Sequence, residues 1–287
     1  MPLDTRVVGQ KTRAFEHHVD ARWIMAYAAG IQDTNPRYMD TSRGDIIAHP
    51  VFPVCLEWPV ILSSRELPGS EAMTREERAR GVHAAHDLHI FKQIKADQTY
   101  RTEATVTALK SIRPGAALLT RLDTFDAAGD LVCRTWQLGI SRGVDITGEA
   151  REVEQPPALP TEEGDPCELS FQIPVSEGAA NVYTETARIW NPIHSDKAFA
   201  LAAGLPDIIL HGTATLALAV TSLVNGLLDA DPSNIIRLGG RFTGMVLMPN
   251  LLEVRVHRQS RRYLSFSVAD KSGQEVFSQG YLCLKEA

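Results

Sequence analysis

Hydrophobic and polar positions alternate near the C-terminus. Leu252, Val254 and Val256 are separated by Glu253, Arg255 and His257, and Leu264, Phe266 and Val268 alternate with polar neighbours, the two-residue period of half-buried strands. Lys271-Ser272-Gly273 reads as a turn, and Val276 to Leu284 as a last strand. Ahead of these strands, Thr213 to Leu228 is apolar on nearly every side, which predicts a helix buried over most of its surface, with Pro232 as its stop. The first half repeats the strand pattern: Tyr100 to Leu109, Leu118 to Phe125, a turn at Ala128-Gly129-Asp130, then Leu131 to Ile140. One helix against several antiparallel strands predicts an α+β layer in each half.

The two halves are copies. Phe15, Val19, Tyr27, Asn35, Pro36 and Asp40 fall opposite Phe171, Val175, Tyr183, Asn191, Pro192 and Asp196, every pair 156 positions apart. A constant offset over such a span argues for duplication. Asp45 to Pro50 then matches Asp207 to Gly212 at an offset of 162, which puts six extra residues of the second copy within Lys197 to Pro206. Two long copies do not make a solenoid; they pair as a pseudo-dimer. The predicted domains are residues 1–143 and 167–287, joined by a linker at 144–166 whose Pro, Gly, Glu and Asp content cannot bury enough surface to fold alone.

Composition narrows the function. With 287 residues and 44% hydrophobic content, the chain has material for two ordinary domains. A net charge of -6 with scattered basic residues gives no footprint for nucleic acid. No run reaches the length of a membrane span and the first residues lack an apolar signal core, so a soluble, cytoplasmic protein is expected. Cys55, Cys133, Cys167 and Cys283 are too dispersed for a CxxC pair or a disulfide framework and are expected as buried free thiols. GxGxxG and GxxxxGK motifs are missing from the chain, which removes the usual nucleotide readings.

The most informative stretch is Tyr183 to Asp196, containing Asn191-Pro192-Ile193-His194, followed by Ala202 to Gly212 with Leu210-His211-Gly212. This ordered run of about thirty residues resembles the signature of the MaoC-like hydratase and dehydratase family, the (R)-specific enoyl-CoA hydratases. The resemblance implies a double hot-dog fold, two tandem antiparallel sheets each wrapping a central helix. It also implies reversible hydration of a 2-enoyl-CoA to a 3-hydroxyacyl-CoA, with the CoA or acyl-carrier thioester as substrate and no cofactor or metal. By the same resemblance, His194 is the base, Asn191 positions water or substrate, and Gly212 gives an N–H to the thioester oxyanion.

Those residue types suit the reaction. An imidazole takes a proton and returns it near neutral pH, and a glycine N–H at a helix start allows close approach to developing negative charge. One position departs from the family pattern: Ile189 stands where the family carries an aspartate. Three explanations compete. His194 serves both proton transfers; Glu185, Arg188 or Asp196 substitutes; or the site binds acyl thioesters without hydrating them. Asp196 is the weakest substitute because an Asp ahead of an apolar helical run is commonly an N-cap. Arg188 is either a contact for a CoA phosphate or a solvated side chain. A hot-dog thioesterase is a further alternative, although no carboxylate base is evident in the second copy.

The first copy fails in a complementary way. It keeps Asp33 and Asn35, but Tyr38 replaces the base, and Pro50, with no N–H, replaces Gly212. It is expected to be a degenerate partner, with Asp33 helping the second site only if the interface joins the motifs. His83, His86 and His89 are expected as a non-metal surface cluster, His83 and His89 on one strand face and His86 on the other. His49 and His211, at matching positions, are expected to make hydrogen bonds ahead of the central helices. Trp190 is expected in the core or against the acyl pocket. The fused pair is either self-sufficient or a homodimer formed through its sheet edges.

Overall fold

The computed structural model describes residues 2–71 and 73–285, so the outer limits of the expected domains, 1 and 287, lie outside the described residues. In the first half, strand β1 (Phe15–Val19) leads into helix α1 (Ala21–Gly30), whose start is fixed by Asp20 accepting the Trp23 N–H at 2.7 Å. Helix α2 (Pro53–Ser63) and strands β2 (Gly81–Ile90), β3 (Gln98–Ile112), β4 (Gly115–Phe125) and β5 (Leu131–Arg142) complete that half. The second half repeats the order. It runs β6 (Ser170–Val175), α3 (Ala179–Ala187), α4 (Gly212–Leu227), β7 (Ile235–Phe242), β8 (Asn250–Gln259), β9 (Tyr263–Ala269) and β10 (Glu275–Leu284).

The two half-sheets are joined edge to edge. Their antiparallel order is β6-β8-β9-β10-β7-β2-β5-β4-β3-β1, and the halves meet where β7 pairs with β2, Gly239 opposite Asp87 and Arg241 opposite Ala85. Charge locks this seam. Asp87 accepts from Nε and Nη2 of Arg237, each at 2.8 Å, and from the Tyr281 hydroxyl at 2.7 Å, bonds that hold its carboxyl well below the usual range although burial opposes them. One continuous apolar core spans both halves, from Val19, Tyr27 and Leu56 to Leu216, Phe266 and Leu282.

The central helices differ in ways the sequence explains. Helix α4 has 16 residues and buries Ala214 to Val220, Leu223 and Val224, as its all-round apolar pattern requires. It ends at the left-handed residues Asp229 (φ 51°) and Ala230 (φ 56°); Pro232 opens the next short turn and is not the stop the sequence suggested. Helix α2 has 11 residues, starts only at Pro53, and loses one internal hydrogen bond at Pro59, which has no N–H. Strand β9 also departs from expectation: all seven residues are buried, with Ser267 hydrogen-bonded to His257 Nε2 at 2.8 Å on the face expected to meet solvent.

The segment 144–166 is largely exposed but not featureless. Ile146–Thr147 pairs with Leu3–Asp4, Arg151–Glu152 with β3, and Asp165–Pro166 with β8. All four cysteines are free thiols; Cys55 and Cys133 are buried, Cys167 and Cys283 only partly so. Among the described residues no helix is long and apolar enough to cross a membrane.

Candidate active site

His194 ends a short 3₁₀ turn, Pro192–His194, that begins after Asn191. Its N–H bonds back to the Asn191 carbonyl at 3.0 Å, so the turn aims the ring inward, and the residue is only 9% exposed. The Nδ1 atom lies 2.7 Å from the Ile209 carbonyl. A carbonyl only accepts, so Nδ1 carries the proton and Nε2 keeps the lone pair. Burial pushes the pKa of His194 down to about 4, partly offset by that bond, and the ring is a neutral base at physiological pH.

The imidazole of His194 stacks on that of His211, ring centroids 3.7 Å apart and planes 22° from parallel. His211 is the residue before Gly212, the first of helix α4. Base and helix N-terminus are therefore neighbours. The helix cannot satisfy its own first-turn donors, so the Gly212 N–H remains for a ligand at its positive end. Glycine is required there by packing: a Cβ on residue 212 would meet Cδ1 of Phe242 at 2.8 Å. His211 is itself tied down, with Nε2 3.4 Å from both Thr184 Oγ1 and the Ile189 carbonyl, as a structural histidine ahead of a helix should be. Beside it, the Tyr183 hydroxyl donates to Thr213 Oγ1 at 3.1 Å.

Asn191 makes no capping bond to its turn, whereas its counterpart Asn35 is fully engaged. Asn35 Oδ1 accepts the Arg37 N–H, and its Nδ2 bonds Asn225 and the Ala230 carbonyl. The Asn191 side chain is thus the one of the two that does not cap its own turn.

The accessory candidates are engaged elsewhere. Arg188 lies over the Trp23 ring at 3.7 Å, a cation–π contact to the first half rather than a phosphate site or a free side chain. Glu185 accepts the Trp190 indole N–H at 3.4 Å. Trp190 is 59% exposed and belongs to neither core nor pocket wall. Asp196 accepts the Phe199 N–H at 3.0 Å, the N-cap of Lys197–Ala202. Ile189 is buried and puts hydrocarbon where the family's aspartate stands.

Asp33 is fully buried in a different place. Its Oδ2 accepts from Thr221 Oγ1 at 3.0 Å, and its Oδ1 from Asn225 Nδ2 at 3.3 Å and the Asn35 N–H at 3.0 Å. Thr221 lies nine residues beyond Gly212 on α4, about 13 Å along the axis at 1.5 Å per residue. The interface does bring Asp33 to the second half, but not to His194. His49 joins this network through Nε2, 3.3 Å from Thr221 Oγ1, while its Nδ1 accepts the Val51 N–H at 3.1 Å. Tyr38 is buried beneath it, rings 5.5 Å apart.

The histidines of β2 are not a surface cluster. A register slip between His83 and Ala85 breaks the alternation, so His83 and His86 share one buried face, ring centroids 5.3 Å apart, and His89 turns to the other face beside Asp87. Among the described residues no three His, Cys, Asp or Glu side chains are grouped to hold a metal ion.

Two tandem sheet-and-helix units, with the His, Asn and Gly motif in the second, define a double hot-dog fold. Residues 159–275 match the MaoC like domain, and residues 6–134 match the FAS1-like dehydratase domain region. The chain thus joins a FAS1-like dehydratase region in its first half to a MaoC-like domain in its second. It is 26% identical to peroxisomal multifunctional enzyme type 2 of Drosophila melanogaster over 286 residues, covering 96% of this chain and 46% of that protein, so it spans less than half of that relative. It is 23% identical to probable enoyl-CoA hydratase 2 of Dictyostelium discoideum, covering 98% of this chain and 96% of the other. The crystal structure of a MaoC-like dehydratase from Phytophthora capsici superposes with a TM-score of 0.83 at 18% identity, covering 97% and 96% of the two chains, and that likeness bears on the fold alone.

Proposed function

We propose that the second half catalyses reversible hydration of a 2-enoyl thioester, CoA or acyl-carrier bound, to the 3-hydroxyacyl thioester. The observation that carries this reading is the stacking of His194, with its neutral ring, on His211, the residue that precedes Gly212 at the start of α4. Water bonds to C3 as Nε2 takes its proton. The C2=C3 electrons shift toward the thioester carbonyl, whose enolate oxygen accepts from the Gly212 N–H. The enolate then collapses, and C2 takes the proton back from Nε2. With Ile189 in the aspartate's place, His194 serves both transfers. Its depressed pKa suits that double duty, because an imidazolium held in a desolvated site gives up its proton readily. Asn191 positions the water or the thioester.

Two relatives named as enoyl-CoA hydratase 2 or as a multifunctional enzyme support the substrate class. The outer strands β1 and β6 are the sheet edges through which the fused pair would form a homodimer. The buried Ile189 favours one other reading, a protein that holds acyl thioesters without turnover. Loss of enoyl absorbance with crotonyl-CoA, using His194→Ala as control, separates them. Hydration abolished by the substitution supports the hydratase. Tight binding without turnover supports the binder, and release of free thiol would indicate a thioesterase.

A further inference from the structure

Strand β2 carries polar side chains on the face where its neighbours Leu88 and Ile90 enter the apolar core. His86 is 2% exposed, and neither of its ring nitrogens has a hydrogen-bond partner among the described residues. Gln137 stands directly opposite His86 on β5 and so on the same face, and its Oε1 is also buried without a partner. Three orphaned polar atoms on two adjacent strands are unusual in a folded protein and call for an occupant. Gly139 faces His83 across the strands, where a Cβ would be accommodated in ordinary contact, 3.8 Å from the Leu118 carbonyl oxygen.

This polar cluster adjoins the site already described. The His83 ring lies 4.7 Å from that of Phe242, and Phe242 covers the Cα of Gly212. Phe242, His83 and His86 therefore form a continuous run of rings leading from the Gly212 N–H across the seam into the first half.

We propose that His86 and Gln137 form an acyl-chain subsite that selects 2-enoyl thioesters bearing a hydroxyl well down the chain; this rests on the hydratase reading for its substrate class. A hydroxyl donates to Gln137 Oε1 and accepts from the His86 N–H at once. A hydrocarbon chain leaves all three atoms unpaired, and a carbonyl leaves Gln137 without a donor. A carboxylate finds no cation, since burial holds His83 and His86 neutral, pushed down to about 3 and about 4.

Calorimetric titration with the unreactive octanoyl-CoA and ω-hydroxyoctanoyl-CoA, and with the six- and ten-carbon pairs, tests the subsite, with crotonyl-CoA turnover measured in parallel. The wild-type protein is expected to bind one hydroxylated member about tenfold more tightly than its plain counterpart. His86→Leu and Gln137→Leu are each expected to abolish or reverse that preference. Both remove a buried unpaired polar group, so a Tm at or above wild type is expected and certifies folding. Equal affinities within every wild-type pair, or a preference that survives both substitutions, overturns the subsite and leaves water as its occupant. Crotonyl-CoA carries no hydroxyl for His86 and Gln137 to select, so failure to hydrate it while the hydroxyl preference persists overturns the hydratase reading alone.

Discussion

The hydroxyls of Tyr27 and Tyr183, equivalent positions in the two copies, lie 3.5 Å apart in the core. Each reaches its partner from the first helix of its own half, so the pseudo-twofold axis of the duplication passes between them. Their environments are not equivalent, because Tyr183 also donates to Thr213 in the first turn of α4 while Tyr27 has only the long tyrosine contact. Tyr183→Phe is expected to cost about 1–2 kcal/mol, and Tyr27→Phe under about 1 kcal/mol, in line with the usual net worth of a buried hydrogen bond. Urea unfolding of both variants measures the difference; equal costs would show that the Thr213 bond contributes nothing.

A Cβ on Gly212, the proposed oxyanion donor, would meet the Phe242 ring at 2.8 Å. Gly212→Ala keeps the N–H but forces the ring or the helix start to move, so the donor is displaced from the oxyanion it serves. Turnover of crotonyl-CoA is expected to fall about 10–100-fold, short of the loss of a whole donor. Phe242→Leu in the Gly212→Ala background, which makes room for the methyl, is expected to recover part of the rate.

Asp33 is read as a clamp between the halves rather than as part of the chemistry. Asp33→Ala leaves Thr221, Asn225 and the Asn35 N–H facing a buried site with no acceptor, at an expected cost of about 3 kcal/mol in unfolding free energy. Below its melting range the variant is expected to hydrate crotonyl-CoA within about twofold of wild type, the tolerance of an ordinary remote substitution. A large fall in kcat without loss of fold would return Asp33 to the list of catalytic groups.

These particulars show what a linear chain carries and what it does not. The 156-residue offset predicted that Tyr27 and Tyr183 are equivalents, and the apolar run before Pro232 predicted a buried α4, because both depend on local composition and order. Helix α4 ends earlier, at two left-handed residues, since backbone angles of Asp229 and Ala230 leave no mark in residue type. Strict alternation put His83 and His86 on opposite faces; one bulge reversed this, and a one-residue slip has no hydrophobic signature in a strand that is buried on both sides. The stack of His194 on His211 links residues seventeen positions apart through the fold of one loop, so the motif named both but not their contact. Phe242, Thr184 and Thr213 carried no sequence signal beyond being apolar or hydroxylated neighbours of the motif.

Glu57, in helix α2, is fully buried and accepts only from Thr135 Oγ1. Burial pushes its carboxyl up to about 7, from an ordinary value near 4.5. The folded state therefore holds the proton while the unfolded chain has released it. Stability is unaffected below pH 4.5 and declines as pH rises to about 7, by about 3 kcal/mol in total at 1.36 kcal/mol per pH unit. Glu57→Gln keeps an acceptor for Thr135 without a charge to bury. It is expected to raise the Tm at pH 8 by more than it does at pH 6.

The buried histidines give the opposite dependence. His49 and His83 are pushed down to about 3, His86 and His194 to about 4, and His211 well below its ordinary value, all chiefly by burial. In the unfolded chain each binds a proton near pH 6.5, whereas the folded protein excludes it, so the unfolded state holds more protons between those limits and stability falls as pH falls. At pH 5, His49, His83, His86 and His194 each oppose folding by about 2 kcal/mol, and His211 acts in the same direction. Because the histidines together outweigh Glu57, the protein is expected to be most stable near neutral pH and to unfold cooperatively on acidification between about pH 6 and pH 4.5. His83→Leu and His86→Leu together are expected to move the acid midpoint down by several tenths of a pH unit, because they remove two of the groups that drive unfolding. Circular dichroism against pH measures that midpoint, and a double variant that unfolds at the same pH as wild type would mean that these two rings already carry protons in the native protein.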